Sequence, residues 1–302
     1  MPAISERTTP VGEEAGTVGR CILCGGTNGR VVVAEDGFCG RACGCGVVYI
    51  DPLPRAGSVD LAADHHLETY YSLPASVRLD WIGKFKRSGR LLEIGCGDGH
   101  FLALAKARGY EIAAVEPNGR AAETAARTLG ITVEQALIEE SAQPDHSFDV
   151  VFHVDLLSHF PDPVRALRRM AELVRPDGVV CFEVGVFGGL APSWYPWVGK
   201  IAYPQHLWLY SEPAIEALLE RAGLRIDTVQ RFGLLPSTII SSIGNLALRP
   251  RIARPRGEAG RSARPTGFYR LYSWAQYIMR YRLGRLIPAV GPYAMLVTAR
   301  PR

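Results

Sequence analysis

The stretch Leu91-Leu92-Glu93-Ile94-Gly95-Cys96-Gly97-Asp98-Gly99 decides the fold. A short apolar strand, Leu91–Ile94, runs straight into three alternating glycines, and the helical pattern Phe101–Arg108 follows. Glycines after a first strand allow a tight turn and close approach of a ligand to the backbone, with a helix N-terminus beyond. Outward from this point strands and helices alternate. Glu111–Val115, Ile131–Val133, Phe148–Val154 and Val179–Val184 read as strands. Ala121–Leu129, stopped by Gly130, and Pro163–Val174 read as helices. Ser211 caps a further helix to Ala222, with Gly223 as its stop, and Leu224–Phe232 and Tyr293–Ala299 are the last strands. The pattern predicts an α/β fold: a doubly wound, seven-stranded, mostly parallel sheet covered by helices on both faces.

The loop chemistry separates two kinds of ligand. The spacing is G-x-G-x-G and position 100 is His, so the dinucleotide fingerprint G-x-G-x-x-G is not met. Glu93 sits in the strand itself, where it would face a bound pyrophosphate. Two like charges about 5 Å apart at an effective dielectric of about 20 repel by roughly 3 kcal/mol. S-adenosylmethionine reverses the sign, because it carries an ammonium and a sulfonium and no phosphate. Glu116, at the end of the second strand, is placed to accept hydrogen bonds from ribose hydroxyls.

These residues resemble the class I S-adenosylmethionine-dependent methyltransferases, a Rossmann-like family, through the E-x-G-x-G-x-G loop and the acid after strand two. The likeness continues through Phe148-Asp149-Val150-Val151, Leu156-Leu157-Ser158-His159-Phe160-Pro161-Asp162-Pro163 and Leu173-Val174-Arg175-Pro176-Asp177-Gly178. It implies that Glu93 holds the cofactor's amino group and that Gly95, Cys96, Gly97, Asp98 and Gly99 pass beneath it. Glu116 and Pro117 would then lie at the ribose, and Ala136 and Leu137 would flank the adenine.

Five of the seven cysteines fall between Cys21 and Cys45. No secretory signal opens the chain, so a cytoplasmic address is expected, and crowded thiols in a reducing compartment point to metal. Cys21-x2-Cys24 begins a knuckle, and Cys43-Gly44-Cys45-Gly46-Val47-Val48 looks like its partner. Residues 19–57, behind a flexible segment 1–18, resemble the zinc-ribbon-like module ahead of many small-molecule methyltransferases. That likeness implies structural zinc on Cys21, Cys24, Cys45 and a further thiol. Position 42 is Ala where the pattern has Cys, which leaves the third ligand open between Cys43 and Cys39.

The remaining residues, 58–302, form the methyltransferase region, with insertions at 185–210 and 234–291 placed to shape an acceptor site. His159 follows strand four in Asp155-Leu156-Leu157-Ser158-His159. This place resembles that of the ubiquinone-biosynthesis O-methyltransferases, which carry acid-x-x-Glu-His there, an arrangement implying a divalent metal. Ser158 replaces the second acid, which argues against a hard-cation site. His206, in Tyr203-Pro204-Gln205-His206-Leu207-Trp208, lies in a loop where relatives place a histidine facing the acceptor. His206 and His159 are thus the candidate bases. Trp194-Tyr195-Pro196-Trp197 offers stacking faces for a ring-bearing or sugar acceptor.

The chain has 302 residues, 47% hydrophobic and 21% charged, with a formal charge of +4, the profile of an ordinary globular protein. Ten arginines against Glu258 alone lie in 249–285, interleaved with aromatic residues. A solvated linker, an anionic membrane face or lipid-linked substrate, and RNA are the readings of that stretch. The 19–57 module has few cations, and no N/D-P-P-Y/F motif follows strand four, which argues against nucleic acid. The expected function is methyl transfer, on oxygen, to a small molecule or glycan. The alternatives are an RNA methyltransferase and a non-catalytic binder of the same fold; retention of both Glu93 and Glu116 argues against the binder.

Overall fold

In the computed structural model the described residues are 17–54, 68–234, 271, 274–275, 277–287 and 291–302. The alternating pattern gives β4 (Gly89–Ile94), α2 (His100–Ala107), β5 (Tyr110–Val115), α3 (Gly119–Leu129), β6 (Val133–Glu134), β7 (Phe148–Val154), α4 (Pro163–Leu173) and β8 (Val174–Val186). The later part gives α5 (Tyr195–Val198), β9 (Trp208–Tyr210), α6 (Glu212–Arg221), β10 (Leu224–Gly233) and β11 (Tyr293–Pro301). Side-chain caps fix three helix starts. Asn118 accepts from the Ala121 amide, Asp162 from that of Arg165 and Ser211 from that of Ala214.

The strands run β6-β5-β4-β7-β8-β11-β10 across the sheet, parallel from β6 to β8, with β11 antiparallel to both neighbours. This is the seven-stranded doubly wound sheet that the sequence predicts. On one face, Leu79 and Ile82 of α1 (Glu68–Ile82), Phe101 and Leu102 of α2 and Leu129 of α3 bury Leu91, Val150, Phe152 and Cys181. On the other, α4 and α6 cover Val151, Val180, Phe182 and Val297.

The sheet does not stop at seven strands. The cysteine segment folds as β1 (Arg30–Glu35), β2 (Phe38–Ala42) and β3 (Val47–Asp51), and β3 pairs antiparallel with β9. β9 in turn meets the tip of β8 through Val186 and Tyr210, making eleven strands in one sheet. The described cysteine segment, 19–54, is thus continuous with the main sheet. Val47, Val48, Tyr49 and Ile50 are buried in the same core as α4 and α6, as expected of a segment too small to enclose a core itself.

Smaller differences have local causes. Helix was expected over 58–88, and α1 covers 68–82; residues 55–67 lie outside the described set. The third strand forms at Val133–Glu134, later than Ile131–Val133, because Ile131 is spent on closing α3, its amide bonding the Ala126 carbonyl. In the second insertion, a π-helical turn at Ile278–Leu283 packs Tyr281 against Trp81, Phe232 and Leu296. Most of the arginine-rich stretch lies outside the described residues. No helix among the described residues is long and apolar enough to cross a membrane.

Candidate active site and cysteine cluster

The glycine loop leaves the C-terminal edge of β4, with Gly95, Gly97 and Gly99 at φ of 68°, 52° and 85°. Above Gly97 a methyl group would meet nothing within 4 Å, so its backbone faces open space. Its amide donates to Glu116 (2.9 Å), whose other oxygen accepts from the Asn118 amide at 2.9 Å. An ionised carboxylate has about four acceptor positions, so Glu116 ties two loops together and keeps capacity for further donors. The Glu116 amide bonds the Glu134 carbonyl (2.9 Å), which sets the β5 and β6 loop ends side by side. Pro117 and Leu137 are exposed there, Ala136 is half-buried, Cys96 is buried, and Asp98 is half-buried in the turn.

Glu93 is buried at the end of β4, and its Oε2 has no hydrogen-bond partner. Burial holds its carboxyl well above the usual range; nearby Arg78 pulls it down and the Glu116 charge pushes it up again. A buried polar atom without a partner costs about 1–3 kcal/mol, more if charged. A cation arriving beside Glu93 would remove that cost. Arg78, from α1, places a guanidinium near the same point.

Arg78 belongs to a buried ion cluster that sequence reasoning missed. Its Nε donates to Glu183 of β8 at 2.7 Å, Arg280 of the π-helical turn donates to the other oxygen, and the Tyr281 hydroxyl donates to Glu183 at 3.0 Å. Burial raises the Glu183 carboxyl, but the two guanidiniums outweigh it and hold it below its usual range. Asp155, after β7, is pushed up by burial and by the Glu183 charge. The only signal in the sequence was a lone acid in an apolar strand.

His159 and His206 come from distant segments and meet, ring centroids 4.4 Å apart. The Leu207 amide donates to the Ser158 carbonyl at 2.8 Å, which closes the two loops on each other. Of the aromatic run, Tyr195 is buried as packing. Trp194 lies against Gly291 and lines an open cavity of about 800 Å³ with Cys45, Glu212 and Tyr293. A third histidine, His153, is fully buried, stacks on Phe182 at 4.9 Å and has no partner at either ring nitrogen.

The Sγ atoms of Cys21, Cys24, Cys43 and Cys45 lie within 4.8 Å of one another. Cys21 and Cys45 are 3.4 Å apart, Cys24 and Cys43 3.3 Å. Zinc–sulfur bonds of about 2.3 Å around a tetrahedron set sulfurs about 3.8 Å apart, so the group is the right size for zinc. Cys43, not Cys39, completes it; Cys39 sits in β2 opposite Ala34 and Asp51. Backbone hydrogen bonding at Gly26, helped by Cys43, brings the exposed Cys24 thiol down to about 7, whereas burial pushes the Cys21 and Cys45 thiols up.

Comparison with known proteins bears on the family and the fold. Over 117 residues the chain is 34% identical to a ubiquinone biosynthesis O-methyltransferase of Neisseria meningitidis serogroup C, covering 35% of this chain and 49% of that protein. It is 39% identical over 116 residues to one from Aeromonas salmonicida, covering 34% and 48%. The chain thus spans about half the length of the curated relatives it matches. A structure of Haemonchus contortus phosphoethanolamine N-methyltransferase 2 in complex with S-adenosyl-L-methionine shares the fold. There the TM-score is 0.55 at 17% identity, over 84% of this chain and 63% of that one. A family model described as a methyltransferase domain matches residues 63–229, more than half of the chain, and the protein belongs to that methyltransferase family.

Proposed function

We propose that this protein transfers the methyl group of S-adenosylmethionine to a hydroxyl of a small-molecule or glycan acceptor, and that its cysteine cluster holds a structural zinc. The observation that carries the reading is Glu93: a buried carboxylate with an unpartnered oxygen, beside a glycine turn and Arg78. Such a site suits a ligand with an ammonium and a carboxylate and repels a phosphate-bearing one. Glu116 would receive the ribose, and Ala136 and Leu137 the adenine.

The cofactor supplies an electrophilic methyl group when bound. The chain's own work is placement and proton removal. Placing an acceptor oxygen in line beside the donor supplies much of the rate. A hydroxyl also needs a base, and the His159–His206 pair is the candidate. We assign His206 the proton and His159 its support. Trp194 and Tyr293, at the cavity wall, give a ring-bearing acceptor faces to stack on. Among the described parts of 249–285, Leu271 and Trp274 are exposed and suit a lipid-linked acceptor, whereas Arg280 is committed to Glu183.

The test is incubation with methyl-labelled S-adenosylmethionine and a host-cell extract, followed by mass identification of labelled products. A labelled methyl ether of a small molecule or glycan is the expected result. Label confined to RNA, or cofactor binding with no labelled product, would overturn the reading.

A further inference from the structure

The segment that carries His206 is fastened to the cysteine hairpins on both sides of that residue. Upstream, Glu35 at the end of β1 accepts three backbone amides, from Ile201 (2.8 Å), Ala202 (2.7 Å) and Tyr203 (3.2 Å). Ala202 holds a φ of 66°, uncommon for a residue with a side chain, and the carboxylate binds the turn in that shape. Tyr203 then lies directly over Gly40 of β2, where any Cβ would collide with its hydroxyl. Lys200 and Asp36 add an exposed ion pair at 3.1 Å.

Downstream, the Leu207 carbonyl accepts from Ile50 at 3.0 Å, and β9 continues the pairing with β3. Between these two attachments stands His206, its ring against His159. The β1–β2 hairpin turns at Asp36-Gly37, both at positive φ, which fixes where Glu35 emerges.

We infer that Glu35 is a positioning residue for the histidine pair, and that the cysteine hairpins serve as the scaffold that sets His206 against His159. The kinetic consequence rests on the proposed methyl transfer; the geometric one does not. The three bonds that Glu35 accepts come from the 201–203 backbone. Glu35 acts by holding the 201–203 turn, three residues upstream of His206, in one place.

The test is Glu35→Gln, which keeps the size of the side chain but offers one carbonyl oxygen to three donors. Two readouts are needed. In the folded variant, the ring proton–carbon signals of His159 and His206 are expected to shift, while those of His146, at the opposite edge of the sheet, stay. Turnover of the labelled acceptor is expected to fall about ten- to a hundredfold, the cost of a misplacement on the order of 1 Å. Affinity for S-adenosylmethionine should hold within about twofold, because Glu93 and Glu116 sit on other strands. The double variant with His206→Ala should be no slower than His206→Ala alone. Glu35→Asp, which keeps the charge and shortens the reach, should show the same changes at smaller amplitude, and it is read in place of the Gln variant if that one does not fold. Unmoved histidine signals, or losses that multiply in the double variant, would overturn the inference. Shifted signals with wild-type turnover in His206→Ala would leave Glu35's role standing and remove His206 as the base.

Discussion

At the scale of single residues, His206, His159 and His153 occupy two different settings. His206 and His159 face each other across two loops. His206→Ala should cut turnover about a hundred- to ten-thousandfold, the usual worth of a general base, and leave cofactor affinity unchanged; equal turnover in variant and parent would take His206 out of the reaction. His153 has another part. With no partner for either nitrogen, burial lowers its pKa to about 3. The unfolded chain takes up that proton near the ordinary value of about 6.5, so unfolding is favoured as pH falls from there toward 3. Stability is therefore whole above about pH 6.5 and drains below it, by roughly 4 kcal/mol across the window. Glu93, its carboxyl raised, works in the opposite sense, so wild type and variant must be compared at each pH. His153→Leu should melt with a shallower acid slope than wild type, and identical slopes would contradict this account.

At the scale of elements, the ion cluster joins α1, β8 and the π-helical turn through one carboxylate. Glu183→Ala would strand the buried Arg78 guanidinium, with the half-buried Arg280 beside it, a loss of about 3–5 kcal/mol when a buried pair is broken from one side. The expected result is a fall in unfolding free energy of that size by denaturant titration, and a change below about 1 kcal/mol would show that the cluster is solvated. The cysteine hairpins make a second joint. One zinc per chain is expected by elemental analysis. Cys45→Ser should lose the metal and melt at a lower temperature, because β3 lies inside the shared core. An unchanged melting temperature in a metal-free Cys45→Ser would contradict a structural role.

Most strands and helices of 90–233 were legible because they carry their own period and stop: β7 was read at Phe148–Val154 and forms there. The joining of β3 to β9 was not legible. Trp208-Leu209-Tyr210 is too short to signal a strand and is shaped by its partners rather than its propensity. The same limit hid the ion cluster, since Arg78, Glu183 and Arg280 are far apart in sequence and are brought together only by the fold. Glu93 and Glu116 could be found because a glycine turn ties them to a local motif. Cys43 was separated from Cys39 by geometry alone, as both spacings allow a fourth thiol.

At the scale of the whole molecule, the eleven strands form one sheet whose C-terminal edge carries Glu93, Glu116, Asp155 and the histidine pair. The cysteine segment is joined to the sheet by β-pairing, and Arg280 and Tyr281 by their bonds to Glu183. The central claim is that the edge is built to receive a positively charged donor beside a buried carboxyl whose hold on its proton is raised by burial. A cationic amino group favours the ionised form of Glu93, so affinity should rise with pH as the carboxyl ionises.

Calorimetric titration with S-adenosylmethionine, repeated in buffers of different ionisation enthalpy, measures both binding and proton release. The account predicts binding accompanied by proton release, and Glu93→Gln binding at least about tenfold more weakly with no proton released. No uptake of S-adenosylmethionine or S-adenosylhomocysteine, together with tight binding of a nicotinamide or flavin nucleotide, would contradict it.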